Sequence, residues 1–184
     1  MSNDFTLPDT PTGSGRFNIV LLVVAVAAIM FAIIIRSSSQ PVVLAPVPAP
    51  EIHVEGWLNG PGPTMEEMKG KVIVVDAWAY WCRPCMAKAP ELVALHEHYK
   101  GQDVLFLGLT AERQNVDAKS RKFLTDAKIT WPNGFGAART LTSLNNDYIP
   151  QAWVFDRKYN LIWDEARSTE PIEAAINRAL AEKP

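Results

Sequence analysis

Hydrophobic and polar residues are unevenly distributed along this chain of 184 residues, and the longest apolar block lies near the N-terminus. Residues 19–35 are all apolar. Together with the two residues before them they would form a helix about 28 Å long, close to the hydrocarbon thickness of a bilayer, with no polar face. The pattern therefore predicts a transmembrane helix over residues 17–36, preceded by a short tail over residues 1–16.

A cleaved signal peptide is the main alternative for this block. Its apolar core is usually only about 7–15 residues long, and a small-residue cleavage site should follow it. No Ala-x-Ala pattern follows Arg36, so an uncleaved signal anchor is favoured. Residues 37–50 contain four prolines, which favours an extended, semi-rigid linker. Residues 51–184 are long enough to form one domain with its own core.

Strand and helix patterns alternate within residues 51–184. Runs rich in apolar or β-branched residues predict buried strands at 71–78, 104–109, 152–155 and 161–163. Apolar residues at helical spacing predict helices at 85–99, 115–127 and 172–180. The last two strands are joined by a connection that suits a hairpin, whereas residues 129–149 match no single element. This order predicts an α/β domain with a mixed sheet flanked by helices.

Composition and charge exclude several classes of protein. The net charge of −2 leaves no broad basic surface, which argues against nucleic acid as a partner. Two cysteines are too few for a scaffold of several disulfides or for a four-cysteine zinc site. The chemistry of the chain therefore depends on how these two cysteines are used.

The two cysteines form a Cys-x-x-Cys motif, Cys82-Arg83-Pro84-Cys85, between a predicted strand and a predicted helix. The N-terminus of a helix favours an anion, so the pKa of the Cys82 thiol should be lowered and its thiolate should be the nucleophile. The positive charge of Arg83 should stabilise that thiolate further. We expect Cys85 to be more shielded and placed to attack a mixed disulfide on Cys82.

Other uses of the pair remain open at this point. The motif could be half of a zinc site, completed only by His53, His96 or His98, but the last two face different sides of a helix. It could also be an inert structural disulfide. Two thiolates could bind Cu(I), with Met86 as a compatible neighbour, or the domain could be a binding module without catalysis.

Residues 74–90, VVDAWAYWCRPCMAKAP, resemble the thioredoxin signature. The apolar N-terminal segment, Trp57-Leu58-Asn59-Gly60 and Lys69-Gly70-Lys71 resemble the TlpA/ResA-like branch of membrane-anchored thiol–disulfide oxidoreductases. The resemblance covers residues 51–184. It implies a thioredoxin-like α/β fold with an N-terminal transmembrane helix, a cytoplasmic tail over residues 1–16, and a domain in the periplasm or an equivalent extracytoplasmic space.

The resemblance also implies the roles of individual residues. Cys82 would attack the substrate, Cys85 would resolve the mixed disulfide, and Asp76 would accept the proton of Cys85. A carboxyl group in an apolar site has a raised pKa, which suits this exchange. Pro150 would be the cis-proline that faces the cysteines. The expected substrate-binding residues are Trp81, Arg83, Pro84 and Ile149, and Trp78 would either flank the site or pack in the core.

Three departures from the family are visible. Asp76 stands where many TlpA-type proteins have Asn, Arg83 stands where ResA-type proteins often have an acidic residue, and residues 144–149 contain no glycine. The implied function is reduction of disulfides in extracytoplasmic proteins, with oxidase and isomerase activity left open. We expect no cofactor besides the Cys82–Cys85 disulfide and no metal. The expected partners are disulfide-containing proteins, a membrane dithiol electron donor, and the lipid bilayer through residues 17–36.

Overall fold

The computed structural model describes residues 14–38, 44–113 and 117–182, and the chain divides into two units between residues 40 and 41. The first unit contains helix α1 (Ser14–Ser38), so the apolar segment is helical as predicted. Side chains are described for residues 19–33 of α1, and all of them are exposed. Over the described part of the chain, no helix is both long enough and apolar enough to cross a membrane. The membrane-spanning role of residues 17–36 stays a prediction, and residues 1–13 of the expected tail lie outside the described residues.

The second unit contains a seven-stranded sheet among its described residues. Its strands are β1 (Val47–Pro48), β2 (Gly56–Leu58), β3 (Val72–Ala77), β4 (Val104–Leu109), β5 (Asn133–Phe135), β6 (Gln151–Phe155) and β7 (Asn160–Asp164). Their spatial order is β1-β7-β6-β3-β4-β5-β2. Strand β4 pairs in parallel with β3 and β5, whereas the other neighbouring pairs are antiparallel. The prediction of a mixed sheet is confirmed.

Helices pack on both faces of this sheet. They are α2 (Met65–Met68), α3 (Arg83–His98), α4 (Asp117–Asp126), α5 (Ala138–Ser143) and α6 (Ile172–Ala181). Helices α3, α4 and α6 agree with the predictions, except that residues 115 and 116 of the predicted second helix lie outside the described residues. Helix α2 begins with a capping box, in which the Thr64 side chain accepts from the Glu67 N–H and the Glu67 carboxylate accepts from the Thr64 N–H.

Strand β3 runs through the centre of the core, and all six of its residues are buried. Successive side chains of a strand point to opposite faces, and β3 follows this rule. Val72 and Val74 pack in the cluster that includes apolar residues of α3, α4 and α6. Ile73 and Val75 pack in the opposite cluster, which includes residues of α5. The same alternation directs Asp76 toward the face covered by α3, where the cysteines lie.

Strands β1, β2 and β5 and helix α5 were not predicted from the sequence. Strand β1 lies in the proline-rich segment expected to be a linker and forms the edge of the sheet, where a residue without an N–H is tolerated. Strand β5 and helix α5 lie within residues 129–149, which matched no element. Strand β5 contains Asn133 and Gly134 and has no β-branched residue, so its conformation depends on pairing with β4 and β2.

Candidate active site

The cysteine pair lies where β3 leads into α3. Cys82 is the N-cap residue of this helix, and its sulfur accepts a hydrogen bond from the Cys85 backbone N–H at 3.1 Å. Pro84 occupies the first turn, where a missing N–H costs no intrahelical bond. A thiolate on Cys82 would therefore meet an N–H donor and the positive end of the helix dipole, which together lower the pKa of a cysteine.

Cys82 and Cys85 are joined by a disulfide, with their Cα atoms 5.3 Å apart. Each residue is only 4% exposed. The expectation that Cys85 would be the more shielded of the two is therefore wrong for the oxidised form. What distinguishes the cysteines is their surroundings, because Cys82 caps the helix whereas Cys85 lines a cavity beneath it.

Asp76 is buried under the cysteine pair, with 7% of its surface exposed. Burial raises the pKa of Asp76 to about 7, because its carboxylate is removed from water. A hydrogen bond from Trp131 Nε1 to Asp76 Oδ1, 3.3 Å long, and the charge of Lys88 oppose this increase. The charge of Glu165 reinforces it. Asp76 is consequently able to gain and lose a proton near neutral pH.

Asp76, Cys85 and Pro150 line the same small cavity, together with Lys88. Its volume is about 10 Å³, which leaves space for no more than one water molecule. The Ile149–Pro150 peptide bond is cis, the isomer that the resemblance implies for this position. The structure thus brings together the predicted acid, the predicted resolving cysteine and the predicted cis-proline.

The two tryptophans near the motif have different environments. Trp78 is buried, stacks on Phe123 with ring centroids 4.7 Å apart, and donates from Nε1 to Asn133 Oδ1 at 2.8 Å. Trp78 therefore packs in the core and also lines the small cavity. Trp81 is 61% exposed, and its Nε1 donates to Glu112 Oε1 at 2.7 Å. This contact holds a large aromatic surface open to solvent beside Cys82.

The remaining predicted substrate-binding residues are fully or partly exposed. Arg83 and Pro84 are exposed, and Ile149 is half-buried between the two core clusters. The loop before Pro150 is held by Asn146, whose side chain donates to the Tyr148 carbonyl at 2.7 Å and to Gln151 Oε1 at 3.0 Å. These hydrogen bonds fix the loop, which contains no glycine, in front of the cis-proline.

The histidines are spread over the domain and do not join the cysteines. His96 packs against Phe106 and Trp131, with ring centroids 5.2 and 5.1 Å apart. Within the residues that the structure describes, no group of three or more histidine, cysteine or acidic side chains is arranged to hold a metal ion.

The fold and the cysteine pair define the class of this protein as thioredoxin-like. The chain belongs to the AhpC/TSA family, whose family model matches residues 47–164. The predicted resemblance to membrane-anchored thioredoxin-fold oxidoreductases of the TlpA/ResA type is confirmed at this level of class, and the anchoring itself stays a prediction.

Individual relatives match parts of the chain. It is 28% identical over 119 residues to the protein DipZ of Mycobacterium tuberculosis, a match that covers 59% of this chain and 17% of DipZ. It is 29% identical over 63 residues to the thiol–disulfide oxidoreductase ResA of Bacillus anthracis, covering 34% of this chain and 36% of ResA. The matched part of this chain therefore spans well under two thirds of the length of either relative.

Solved structures share the fold. A thiol–disulfide isomerase from Corynebacterium glutamicum superposes with a TM-score of 0.64, covering 74% of this chain and 98% of that chain at 20% identity. At this identity the comparison shows the common architecture and carries no further conclusion on activity.

Several contacts of the site were not predicted from the sequence. Trp131 reaches Asp76 from 55 residues away, and Glu112 reaches Trp81 from 31 residues away. No local pattern indicates either contact. The position of Lys88 near the site could have been predicted, because Lys88 follows Cys85 by three residues and therefore lies one helical turn further along the same face.

Proposed function

We propose that this protein is a thiol–disulfide oxidoreductase that reduces disulfides of other proteins by attack of Cys82 and resolution by Cys85. The observation that carries the proposal is the position of the Cys82 sulfur, which caps α3 and accepts the Cys85 N–H. The thiolate is the nucleophile in disulfide exchange, and this position stabilises a thiolate on Cys82.

The reaction proceeds through two exchanges. The Cys82 thiolate attacks one sulfur of the substrate disulfide, forms a mixed disulfide, and expels the first substrate thiolate. Cys85 then attacks the Cys82 sulfur, which closes the Cys82–Cys85 disulfide and releases the second substrate thiolate. Two electrons pass to the substrate, and a dithiol electron donor in the membrane returns two electrons to the protein for the next cycle.

Asp76 acts as the base for the second exchange. Cys85 must lose its proton before it can attack, and Asp76 lines the same cavity as Cys85. The raised pKa of Asp76 matches proton exchange near neutral pH, where the base must be ionised often enough to act.

The substrate surface is formed by Trp81, Arg83, Pro84, Ile149 and Pro150. Trp81 offers an exposed aromatic surface beside the attacking cysteine. Pro150 lacks an N–H, so the neighbouring backbone groups are free to pair with an extended substrate segment. The substrates we propose are disulfide-containing proteins, recognised through the chain on either side of a cysteine.

We also propose that residues 17–36 anchor the protein in a membrane and that residues 37–184 lie in the periplasm or an equivalent space. The support is the unbroken apolar run of residues 19–35 and the exposed apolar side chains at 19–33 of α1. A chain whose only two cysteines form one redox pair also fits an oxidising compartment.

The catalytic proposal is tested with the full-length protein, reduced beforehand and freed of excess reductant. Mixed with insulin, it should reduce the interchain disulfides in a stoichiometric burst, measured as free thiols. Addition of a chemical dithiol should make the reaction catalytic. No thiol release above the rate of the free dithiol alone would contradict the proposal.

The anchor is tested by fractionation of bacterial cells that express the protein. The full-length chain should sediment with membranes and stay there after carbonate washing, whereas a variant without residues 17–36 should be released. Recovery of the full-length chain in the soluble fraction would contradict the anchor while leaving the catalytic proposal standing.

A further inference from the structure

Lys88 and Glu165 form an ion pair between the small cavity of the site and a groove beside α3. Lys88 follows Cys85 by one helical turn, and its Nζ pairs with Oε1 of Glu165, the residue after β7. The Lys88 side chain is 17% exposed and that of Glu165 is 31% exposed, so the pair is only partly screened by water.

Lys88 lies in the wall between two spaces. One is the small cavity that Asp76 and Cys85 line. The other is a groove of about 560 Å³ between α3 and α6, lined by Glu91, Leu95 and Glu165 among others. Lys88 and Leu92 are the two residues that line both spaces, and Lys88 is the polar one.

The groove is lined by different residues from those of the proposed substrate surface. None of Trp81, Arg83, Pro84, Ile149 and Pro150 lines it. A substrate protein joined to Cys82 can therefore contact that surface and leave the groove open to solvent. The second exchange, in which Cys85 must lose a proton, takes place in that covered state.

Among the described residues, the charged groups that act on Asp76 are Lys88, which lines the same cavity, and Glu165, which pairs with Lys88. Its neighbours in the sheet, Gly108 of β4 and Ala152 of β6, carry no charge, and Trp131 contributes a hydrogen bond from a neutral ring. The apolar cluster beneath β3 contains Phe123 of α4 and Ile176 of α6. His96 of α3 lies further along the helix and packs on Trp131.

Only one of the two carboxylate oxygens of Glu165 has a partner. Its Oε2 atom is buried and has no hydrogen-bond partner, while Oε1 pairs with Lys88. A buried carboxylate oxygen without a partner is costly, and the charge of Glu165, whose side chain is 31% exposed, is only partly screened by water. Glu165 therefore opposes ionisation of Asp76, and Lys88 favours it.

We propose that Lys88 and Glu165 are positioning residues that set the protonation of Asp76 from the side of the α3–α6 groove, so that Cys85 can lose its proton while substrate covers the other side. The inference rests on the proposed function. In the step itself the Cys85 thiol gives its proton to the Asp76 carboxylate. The resulting Cys85 thiolate attacks Cys82, and the Asp76 carboxyl group later returns the proton to solvent, with no redox change in Asp76, Lys88 or Glu165.

The two residues should act in opposite directions. Lys88→Met removes the cation that favours the Asp76 carboxylate, so the pKa of Asp76 rises and Cys85 needs a higher pH to lose its proton. Glu165→Gln removes the anion that opposes ionisation, so the same pKa falls. A purely structural role would not shift the pH dependence in two directions.

The experiment measures both exchanges in single-turnover reactions of the full-length, reduced protein with an insulin disulfide, from pH 5 to 9. The midpoint of the second exchange should rise by about 0.5 pH unit or more in Lys88→Met and fall by a similar amount in Glu165→Gln. The first exchange should keep its rate within about 2-fold in both variants, because Cys82 does not line the cavity that Lys88 shares with Asp76 and Cys85. Lys88→Arg keeps the positive charge, so its second exchange should have the same pH midpoint as that of the wild type.

Glu91→Gln is the matched control, since Glu91 lines the groove but not the cavity. It should leave both exchanges unchanged. Unshifted midpoints in Lys88→Met and Glu165→Gln, or shifts in the same direction, would overturn the inference while the proposed function stands. If the wild-type protein performs neither exchange, the proposed function fails, and the inference fails with it.

Discussion

Serine in place of Cys82 should abolish disulfide reduction by this protein, with a loss of roughly 1,000-fold or more in the rate of insulin reduction. The thiolate that starts the first exchange is then absent, and a serine hydroxyl does not ionise at neutral pH. Cys85→Ser should keep the first exchange and lose the second. The two variants are therefore expected to fail at different steps, as resolved by measuring the first and second released thiols separately.

Loss of structure does not account for the expected effect of Cys82→Ser. Cys82 is the N-cap of α3, and serine is among the residues that cap helices best. Its hydroxyl oxygen can accept the Cys85 N–H that the Cys82 sulfur accepts now. The free energy of unfolding of Cys82→Ser should therefore match that of the reduced wild-type protein within about 1 kcal/mol. Substantial insulin reduction by Cys82→Ser would contradict the assignment of the attacking cysteine.

Asp76→Asn should make the protein more stable at pH 8 and slower in the second exchange. The pKa of Asp76 is raised by burial from its ordinary value of 3.8 to about 7. Well below pH 3.8 the carboxyl group is protonated in both the folded and the unfolded state, so its burial does not destabilise the fold. Between pH 4 and 7 the unfolded state ionises first, and folding is penalised increasingly as the pH rises. Above pH 7 the penalty is constant, on the order of 2–4 kcal/mol.

Asparagine removes this penalty while it keeps an oxygen that can accept the hydrogen bond from Trp131. The free energy of unfolding of Asp76→Asn should thus exceed that of the wild type by on the order of 2–4 kcal/mol at pH 8, and the difference should vanish at about pH 3. Urea titrations at a series of pH values measure it. Asp126→Asn, on the exposed end of α4, is the control; it removes only a surface ion pair with Lys122, so the free energy of unfolding should change by about 0.5 kcal/mol or less.

Asp76→Asn should lower the rate of the second exchange although it raises the stability of the fold. Without the base, the second exchange should slow by at least about 10-fold at pH 7, so the mixed disulfide accumulates. The wild-type rate of the second exchange should increase as the pH rises through about 7, and this increase should be absent in Asp76→Asn. A variant that gains stability but keeps the wild-type rate and pH profile would show that Asp76 does not act on Cys85.

Much of the site could be predicted from the sequence because its signals are local. The apolar run of β3, the cysteines at the start of α3, and the acid two residues before Trp78 all lie within one short segment. The role of Pro150 is implied by the resemblance to thioredoxin-fold proteins, and a clear strand follows it as that fold requires. These features depend on local order along the chain, which a single sequence displays directly.

The rest of the site depends on contacts between distant segments. Glu165 meets Lys88 across 77 residues, because the β6–β7 hairpin brings the end of β7 beside α3. Trp131 reaches Asp76 from a segment that matched no element. Strand β5, which follows Trp131, exists through its pairing with β4 and β2. Neither position carries a pattern that specifies its partner.

The most direct test of the account is to identify which cysteine carries the substrate. Full-length Cys85→Ser, mixed with insulin and quenched with acid, should hold a covalent adduct that mass spectrometry locates on Cys82. Cys82→Ser treated in the same way should hold little or none. An adduct that forms on Cys85 in Cys82→Ser as fast as on Cys82 in Cys85→Ser would contradict the central claim that Cys82, at the N-cap of α3, is the attacking cysteine.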